Sequence, residues 1–154
     1  MTTDPLLLRP AERADLPAIV ALLADDTLGA TRESPDDLTP YEAAFTALAA
    51  DPNQHLTVAT RAGQIVGTLQ LTLIPGLSRQ GSTRALIEAV RVAATERGTG
   101  LGTQLIEWAI TRSRELGADL VQLTSDNTRT DAHRFYEHLG FTGSHIGFKL
   151  SLSR

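Results

Sequence analysis

Cysteine is absent from all 154 residues. Disulfides, thiolate metal sites and a cysteine nucleophile are thereby excluded, and a reducing, cytoplasmic setting is expected. No apolar run approaches the roughly 20 residues of a membrane span. The opening stretch MTTDPLLLRP has no basic n-region and no long apolar h-region, so no secretory signal is expected. Repeats, low-complexity tracts and linkers are also missing. Basic charge is not in excess: 14 Lys and Arg stand against 18 Asp and Glu, a formal net charge of −4. That balance offers no general basic field to nucleic acid. What is present is ordinary for a globular chain, 42% apolar and 21% charged. The length suits a single domain over residues 1–154 with one sizeable core.

The periodicities predict the order β-α-α-β-β-β-α-β-α-β. LLLRP (6–10) reads as a short strand. ADLPAIVALLAD (14–25) reads as a helix with Asp15 as N-cap and Pro17 in its first turn. After a polar loop, YEAAFTALAA (41–50) reads as a second helix started by Thr39 and Pro40. Residues 55–60 and 64–74 form a hairpin signature around a turn at Ala62-Gly63, and 83–94 is a third long strand. A helix follows to about Leu116, then a strand in ADLVQLTS. TDAHRFYEHLGF is a helix with Ala132, Phe135, Tyr136 and Leu139 on one face and Gly140 past its end. SHIGFKLSL reads as a last strand. This order implies a mostly antiparallel sheet that gains a parallel pair where a helix crosses over.

Between the third strand and its helix stands ERGTGLGT, with Gly98, Gly100 and Gly102 in five positions. Helix N-termini present free N–H groups and partial positive charge, and glycine lets a phosphate approach that backbone. A P-loop would need Gly-Lys-Ser/Thr, but the chain reads Gly102-Thr103-Gln104. A dinucleotide fingerprint would need glycine at Thr103. The spacing is instead Arg97-x-x-Gly100-x-Gly102. A tight turn made for geometry alone is the plain alternative. The strand–loop–helix setting and Arg97 favour a pyrophosphate cradle.

RGTGLG fits the R/Q-x-x-G-x-G/A signature of the GCN5-related N-acetyltransferase (GNAT) superfamily, which the chain resembles. IEAVRV upstream is similar to that family's E-x-aliphatic-x-V strand. AHRFYEHLGF downstream is similar to its A-x-x-x-Y-E-x-x-G-F segment. The C-terminal segment is especially similar to aminoalkylphosphonate N-acetyltransferase-like members. The resemblance implies an α/β (α+β) GNAT fold, a twisted, mixed, mostly antiparallel sheet of six to seven strands flanked by about four helices. It also implies acetyl-CoA as co-substrate. One departure is Arg129, where many members carry asparagine; Ser125, Asp126 and Asn127 lie just upstream.

Acetyl transfer to an amine needs a neutral amine, a donor for the developing oxyanion, a proton for the leaving thiolate and close positioning. Glu88 is the general-base candidate, because an amine of pKa near 10 must lose a proton at pH 7. A carboxylate on an otherwise apolar strand is costly unless used or paired, so a structural ion pair with Arg84 or Arg91 is the alternative. An extended strand would put Glu88 on one face with Arg84, Leu86, Val90 and Val92. By resemblance, Tyr136 protonates the thiolate; simple core packing is its alternative. By resemblance too, the Val90, Arg91 and Val92 backbone pairs with the pantetheine arm and donates to the oxyanion. Arg97, Gly98, Thr99, Gly100, Leu101, Gly102 and Thr103 take the pyrophosphate, and Asn127, or else Asp126 or Ser125, supplies a polar contact. Without cysteine, direct attack in a ternary complex is favoured over an acyl-enzyme.

His55, His133, His138 and His145 show no metal-ligand spacing, so no metal is expected. The acceptor pocket is expected from LADDTLGATRESPDD and PGLSRQGSTR. There Asp25, Asp26, Glu33, Asp36 and Asp37 would attract an ammonium group, or else form a solvated charge run. Arg79 and Arg84 would hold an acceptor phosphonate or carboxylate. The leading expectation is an N-acetyltransferase acting on a primary amine of a small molecule. Acetylation of a protein or peptide amine, and a non-catalytic acyl-CoA-binding regulatory module, are the alternatives. No nucleic acid or membrane partner is expected, and a homodimer is left open.

Overall fold

A computed structural model describes residues 4–153. By compactness the chain divides after Gln122 into two units. The first unit holds a five-stranded sheet in the order β1-β2-β3-β4-β5. The strands are β1 (Leu6–Pro10), β2 (Gln54–Arg61), β3 (Gln64–Pro75), β4 (Thr83–Val92) and β5 (Leu120–Gln122). The first four pair antiparallel in sequence, and β5 joins β4 in parallel. The parallel pair follows a helical crossover, as the element order requires. β2 and β3 meet in a two-residue turn, Ala62 and Gly63, both with positive φ (52° and 76°). Such primed turns match the right-handed strand twist.

Five helices belong to this unit: α1 (Leu16–Ala24), α2 (Gly29–Arg32), α3 (Thr39–Ala50), α4 (Ser78–Gly81) and α5 (Leu101–Glu115). α5 buries Leu101, Leu105, Ile106, Ala109 and Ser113, a stripe at helical spacing. Ser113 is satisfied within it, its hydroxyl donating to the Ala109 carbonyl at 2.6 Å. This stripe meets the sheet across Gly67, where a Cβ would lie 3.1 Å from Leu105 Cδ1. α1 covers the sheet with Leu16, Ile19 and Val20. Between the helices the sheet contributes Val58, Ala59, Leu69, Leu71, Ala85 and Ile87, all at most 3% exposed.

β4 carries a bulge. Glu88 pairs with Gln70 and Arg91 with Thr68, so Ala89 and Val90 together oppose the single residue Leu69. Ala89 takes φ 53°, a left-handed backbone unusual for a residue with a Cβ. The expected face of Glu88 is corrected here. Gln70 and Thr68 point to the same side, so Glu88 shares its face with Arg91 and not with Val90 and Val92.

The second unit holds α6 (Thr130–His138). It ends in a Schellman motif: Gly140 adopts φ 100°, Phe141 N–H donates to Tyr136 O and Gly140 N–H to Glu137 O. Tyr136 packs edge-on against Phe135 and Phe141, at centroid distances of 5.2 and 5.9 Å.

Two expectations on element number need correction. Among the described residues there are five strands, not six to seven, and six helices, not about four. The additional helices, α2 and α4, are single turns inside segments that read as loops; in α4, Arg79 and Gln80 are left-handed. The expected last strand in SHIGFKLSL is not formed, and Ile146, Phe148, Leu150 and Leu152 are 74–92% exposed. Alternation marks a face for burial but does not supply the neighbouring strand that a ladder requires.

Asp15 does lie at the N-cap of α1, but its carboxylate works elsewhere. It accepts from Glu12 N–H at 2.7 Å and from two nitrogens of Arg9 at 2.7 and 3.0 Å.

Candidate active site

β4 has two neighbours only over its first half. Its ladder with β5 runs Arg84–Leu120, Ala85–Val121 and Leu86–Gln122 and then stops. From Ile87 to Val92, β4 pairs with β3 alone among the described strands. That edge leads into the glycine-rich turn. Ala93 N–H bonds Val66 O at 2.8 Å and fixes the strand end; a 3₁₀ turn over Ala94–Glu96 follows. Glu96 braces the turn, receiving Arg61 Nε at 3.0 Å and, on its carbonyl, Thr99 Oγ1 at 2.6 Å.

The three glycines differ in kind. Gly98 (φ 80°) and Gly100 (φ 86°) need left-handed backbone, and Gly100 is the N-cap of α5. Gly102 is the second residue of α5 and is not among the positive-φ residues. Glycine inside a helix costs about 1 kcal/mol against alanine, and no backbone requirement here explains it. No side chain caps this helix end, so its first N–H groups are those an α-helix leaves unpaired. An uncapped, glycine-lined helix start beside an open strand edge fits a pyrophosphate followed by an extended amide-bearing arm.

Glu88 is exposed on the open half of β4. The alternative reading, an ion pair with Arg84 or Arg91, does not hold. Arg84 donates to Gln122 Oε1 at 3.1 Å, and Arg91 Nε sits 3.1 Å from Asp26 Oδ2. The latter contact is ionic, since Arg91 Nε makes no hydrogen bond. Glu88 has no hydrogen bond or ion pair to the described residues. The expectation of an apolar strand setting for this carboxylate is also corrected, because the solvent reaches it where the β5 ladder has ended.

Acidic residues after α1, expected to face an amine, are tied to the cradle. Arg97 Nη2 donates to Asp25 O at 3.3 Å and lies 3.5 Å from its Oδ2, while Asp26 holds Arg91. Asp26 Oδ1 also accepts from Gly29 N–H at 2.5 Å. Glu33 accepts from Tyr41 Oη at 3.1 Å, and Asp37 accepts from Thr39 N–H at 3.1 Å at the start of α3. The Thr39 side-chain hydrogen bond, and behind it this backbone bond, hold the Asp37 carboxyl below its ordinary pKa. Arg79 is exposed in α4.

Of the expected site residues, the first unit thus holds Glu88, Val90, Arg91, Val92 and the whole Arg97–Thr103 turn on contiguous backbone. Arg91 Nη1 takes up the Val90 carbonyl at 3.0 Å. Asn127 and Tyr136 belong to the second unit. Asn127 is exposed; its neighbour Asp126 receives Thr128 N–H and Oγ1 at 2.9 and 2.6 Å, closing the turn that leads into α6. Sequence reasoning missed Arg61 and Glu96. A charge pair 35 residues apart has no sequence signal until the strand register is known. Among the described residues, no three His, Asp or Glu side chains gather as metal ligands.

An open β4 edge continuing into an uncapped glycine-rich helix start is thus the arrangement that the first unit presents. The Acetyltransferase (GNAT) family profile matches residues 16–141, and the chain belongs to that family of acetyltransferases. It is 32% identical to the aminoalkylphosphonate N-acetyltransferase of Salmonella typhimurium over 145 residues, 94% of this chain and 90% of that protein. It is 30% identical to an L-methionine sulfoximine/L-methionine sulfone acetyltransferase of Pseudomonas paraeruginosa, over 87% of this chain and 78% of the other. Among solved structures, a Bacillus halodurans protein described as a transcriptional regulator superposes with a TM-score of 0.92 at 46% identity, covering 96% of this chain and 100% of that one.

Proposed function

We propose that the chain is an acetyl-CoA-dependent N-acetyltransferase for a primary amine of a small molecule, acting by direct attack in a ternary complex. The observation that carries this reading is Glu88, a carboxylate with no partner among the described residues, on the stretch of β4 that only β3 pairs among the described strands. The reading takes residues 1–154 as one cytoplasmic acetyltransferase domain, supported by a family match that runs through both compact units.

When bound, acetyl-CoA supplies an activated thioester. Each remaining task falls to the chain. The N–H groups at the start of α5 and the Arg97 guanidinium hold the pyrophosphate, and Gly102 leaves them uncovered. The free β4 backbone aligns the arm and gives the Val92 N–H to the charge that develops on the acyl oxygen. Glu88 removes the ammonium proton, directly or through water. Tyr136 returns a proton to the departing sulfur; its support is the likeness of AHRFYEHLGF to the family segment.

The descriptions of the relatives support a narrower acceptor class. Those named above act, by their descriptions, on aminoalkylphosphonates and on methionine sulfoximine or sulfone, and a 32% identical Trypanosoma brucei relative on glucosamine 6-phosphate. Each joins an amine to a tetrahedral oxygen-bearing phosphorus or sulfur centre. We assign this chain the same chemistry, with Arg79 as the cation for the oxygens. Thiol release from acetyl-CoA with 1-aminoethylphosphonate, methionine sulfoximine and glucosamine 6-phosphate tests it. Turnover with one and not with simple alkylamines is expected; silence across the panel in a protein that binds acetyl-CoA would overturn it.

A coenzyme-binding regulator is the second reading, favoured by the Bacillus halodurans likeness. It predicts acetyl-CoA binding with no acceptor turned over.

A further inference from the structure

A cavity of about 610 Å³ opens between β1, the start of β2, the end of α3 and the last two turns of α5. At about 1.5 Å of rise per residue, Arg112 stands roughly 16 Å along α5 from the Leu101 end, so this is not the glycine-rich cradle. Its wall combines two aromatic rings, Phe45 and Trp108, with Leu48, His55 and Arg112. Both rings are only partly buried, and so present surface to the cavity.

His55 is the unusual member. Its Nε2 is buried and has no hydrogen-bond partner among the described residues. Buried polar atoms are normally paired, and an orphan calls for an explanation. Burial, and behind it the Arg112 charge, lower the His55 pKa, which keeps the ring neutral with one N–H to donate. The Arg112 guanidinium contacts Glu115 through Nη1 alone, at 3.1 Å, and makes no other hydrogen bond to the described residues. The other lining cation, Arg9, is already spent on Asp15 through two nitrogens. Asp51 and Glu115 are the lining carboxylates. The free donors are therefore a planar guanidinium fork and an imidazole N–H, beside two aromatic rings.

We propose that this cavity is a second binding site, and that its ligand is a small aromatic carboxylate. The carboxylate takes the Arg112 fork, in exchange for Glu115, and the His55 N–H. The ring lies against Trp108 and Phe45. The volume is within the range of small-ligand pockets.

Trp108 is the only tryptophan in the chain, so its fluorescence reports on this wall directly. The probe is benzoate, titrated into the intact protein with excitation beyond benzoate absorption, and repeated by calorimetry. A saturable change is expected with a Kd at or below ~1 mM, weakened about tenfold in Arg112→Gln and in His55→Phe. Circular dichroism checks that both variants fold; Arg112→Lys, which keeps the charge but loses the fork, is the second test and should fall between. Benzylamine should not bind. No saturable benzoate signal up to ~10 mM, or binding indifferent to both Arg112→Gln and His55→Phe, would overturn the assignment.

Discussion

Asp15 receives three N–H donors, two from Arg9 and one from Glu12, and so ties β1 to the start of α1. The Arg9 hydrogen bonds hold its carboxyl below the ordinary aspartate pKa against a smaller opposing effect of burial. A carboxyl depressed in the folded state stabilises above its unfolded pKa and loses that contribution as pH falls through the folded value. Asp15→Asn should therefore cost about 1–2 kcal/mol at pH 7, the low end for charged hydrogen bonds because Arg9 is solvent-exposed. Urea unfolding of both proteins should show the gap narrowing below about pH 4, the unfolded aspartate range, and closing below the depressed pKa. Glu88→Gln isolates the other carboxylate. Its loss should lower kcat near neutral pH by about 10²–10⁴-fold and leave coenzyme affinity nearly unchanged. Full kcat across the pH range would return Glu88 to a surface role. Asp25 competes with any anion for Arg97, through an exposed pair. Asp25→Asn should tighten acetyl-CoA binding by about two- to fivefold, the scale of a surface ion pair, as read by calorimetry.

At the scale of elements, Gly102 separates geometry from ligand contact. Gly100→Ala changes both, because its backbone is left-handed. Gly102→Val leaves a helical backbone, so a folded variant with coenzyme affinity lowered by tenfold or more is expected, and unchanged affinity would remove the cradle. The long periodic elements were readable from the sequence. β1, α3, β3, α5 and α6 fall within a few residues of their expected bounds, because apolar spacing or start and stop signals mark each in the sequence. The turn at Ala62-Gly63 and the stop at Gly140 were readable from turn chemistry. The bulge at Ala89 was not, since alanine carries no signal for positive φ, and the face of Glu88 was misread as a result. The cradle arginines were legible as cations but their partners Asp25 and Asp26 were not. Those pairings depend on where the end of α1 lies in space. The strand expected at 144–152 shows the same limit from the other side, as its alternation is real and its ladder is not formed.

For the molecule as a whole, the described helices include none long and apolar enough to cross a membrane. Its burial is concentrated in the first unit, where β2, β3, β4, α1 and α5 supply the core. The bulge sets a further property of this chain, its tolerance to gain and loss of residues. Between Glu88 and Arg91 one residue is spare. Removing Ala89 would let β4 pair as a regular ladder, with Val90 alone opposite Leu69 and the Arg91–Thr68 and Val92–Gly67 pairs in their present register. What would go is the bend and added twist that the bulge gives the open edge. Deleting Ala89 should therefore leave soluble folded protein, as followed by soluble yield and circular dichroism, and weaken acetyl-CoA binding, as read by calorimetry; unchanged affinity would make the bulge incidental to the site. Descendants of this sequence can thus lose a residue here and keep the fold, giving up only the bend of the edge.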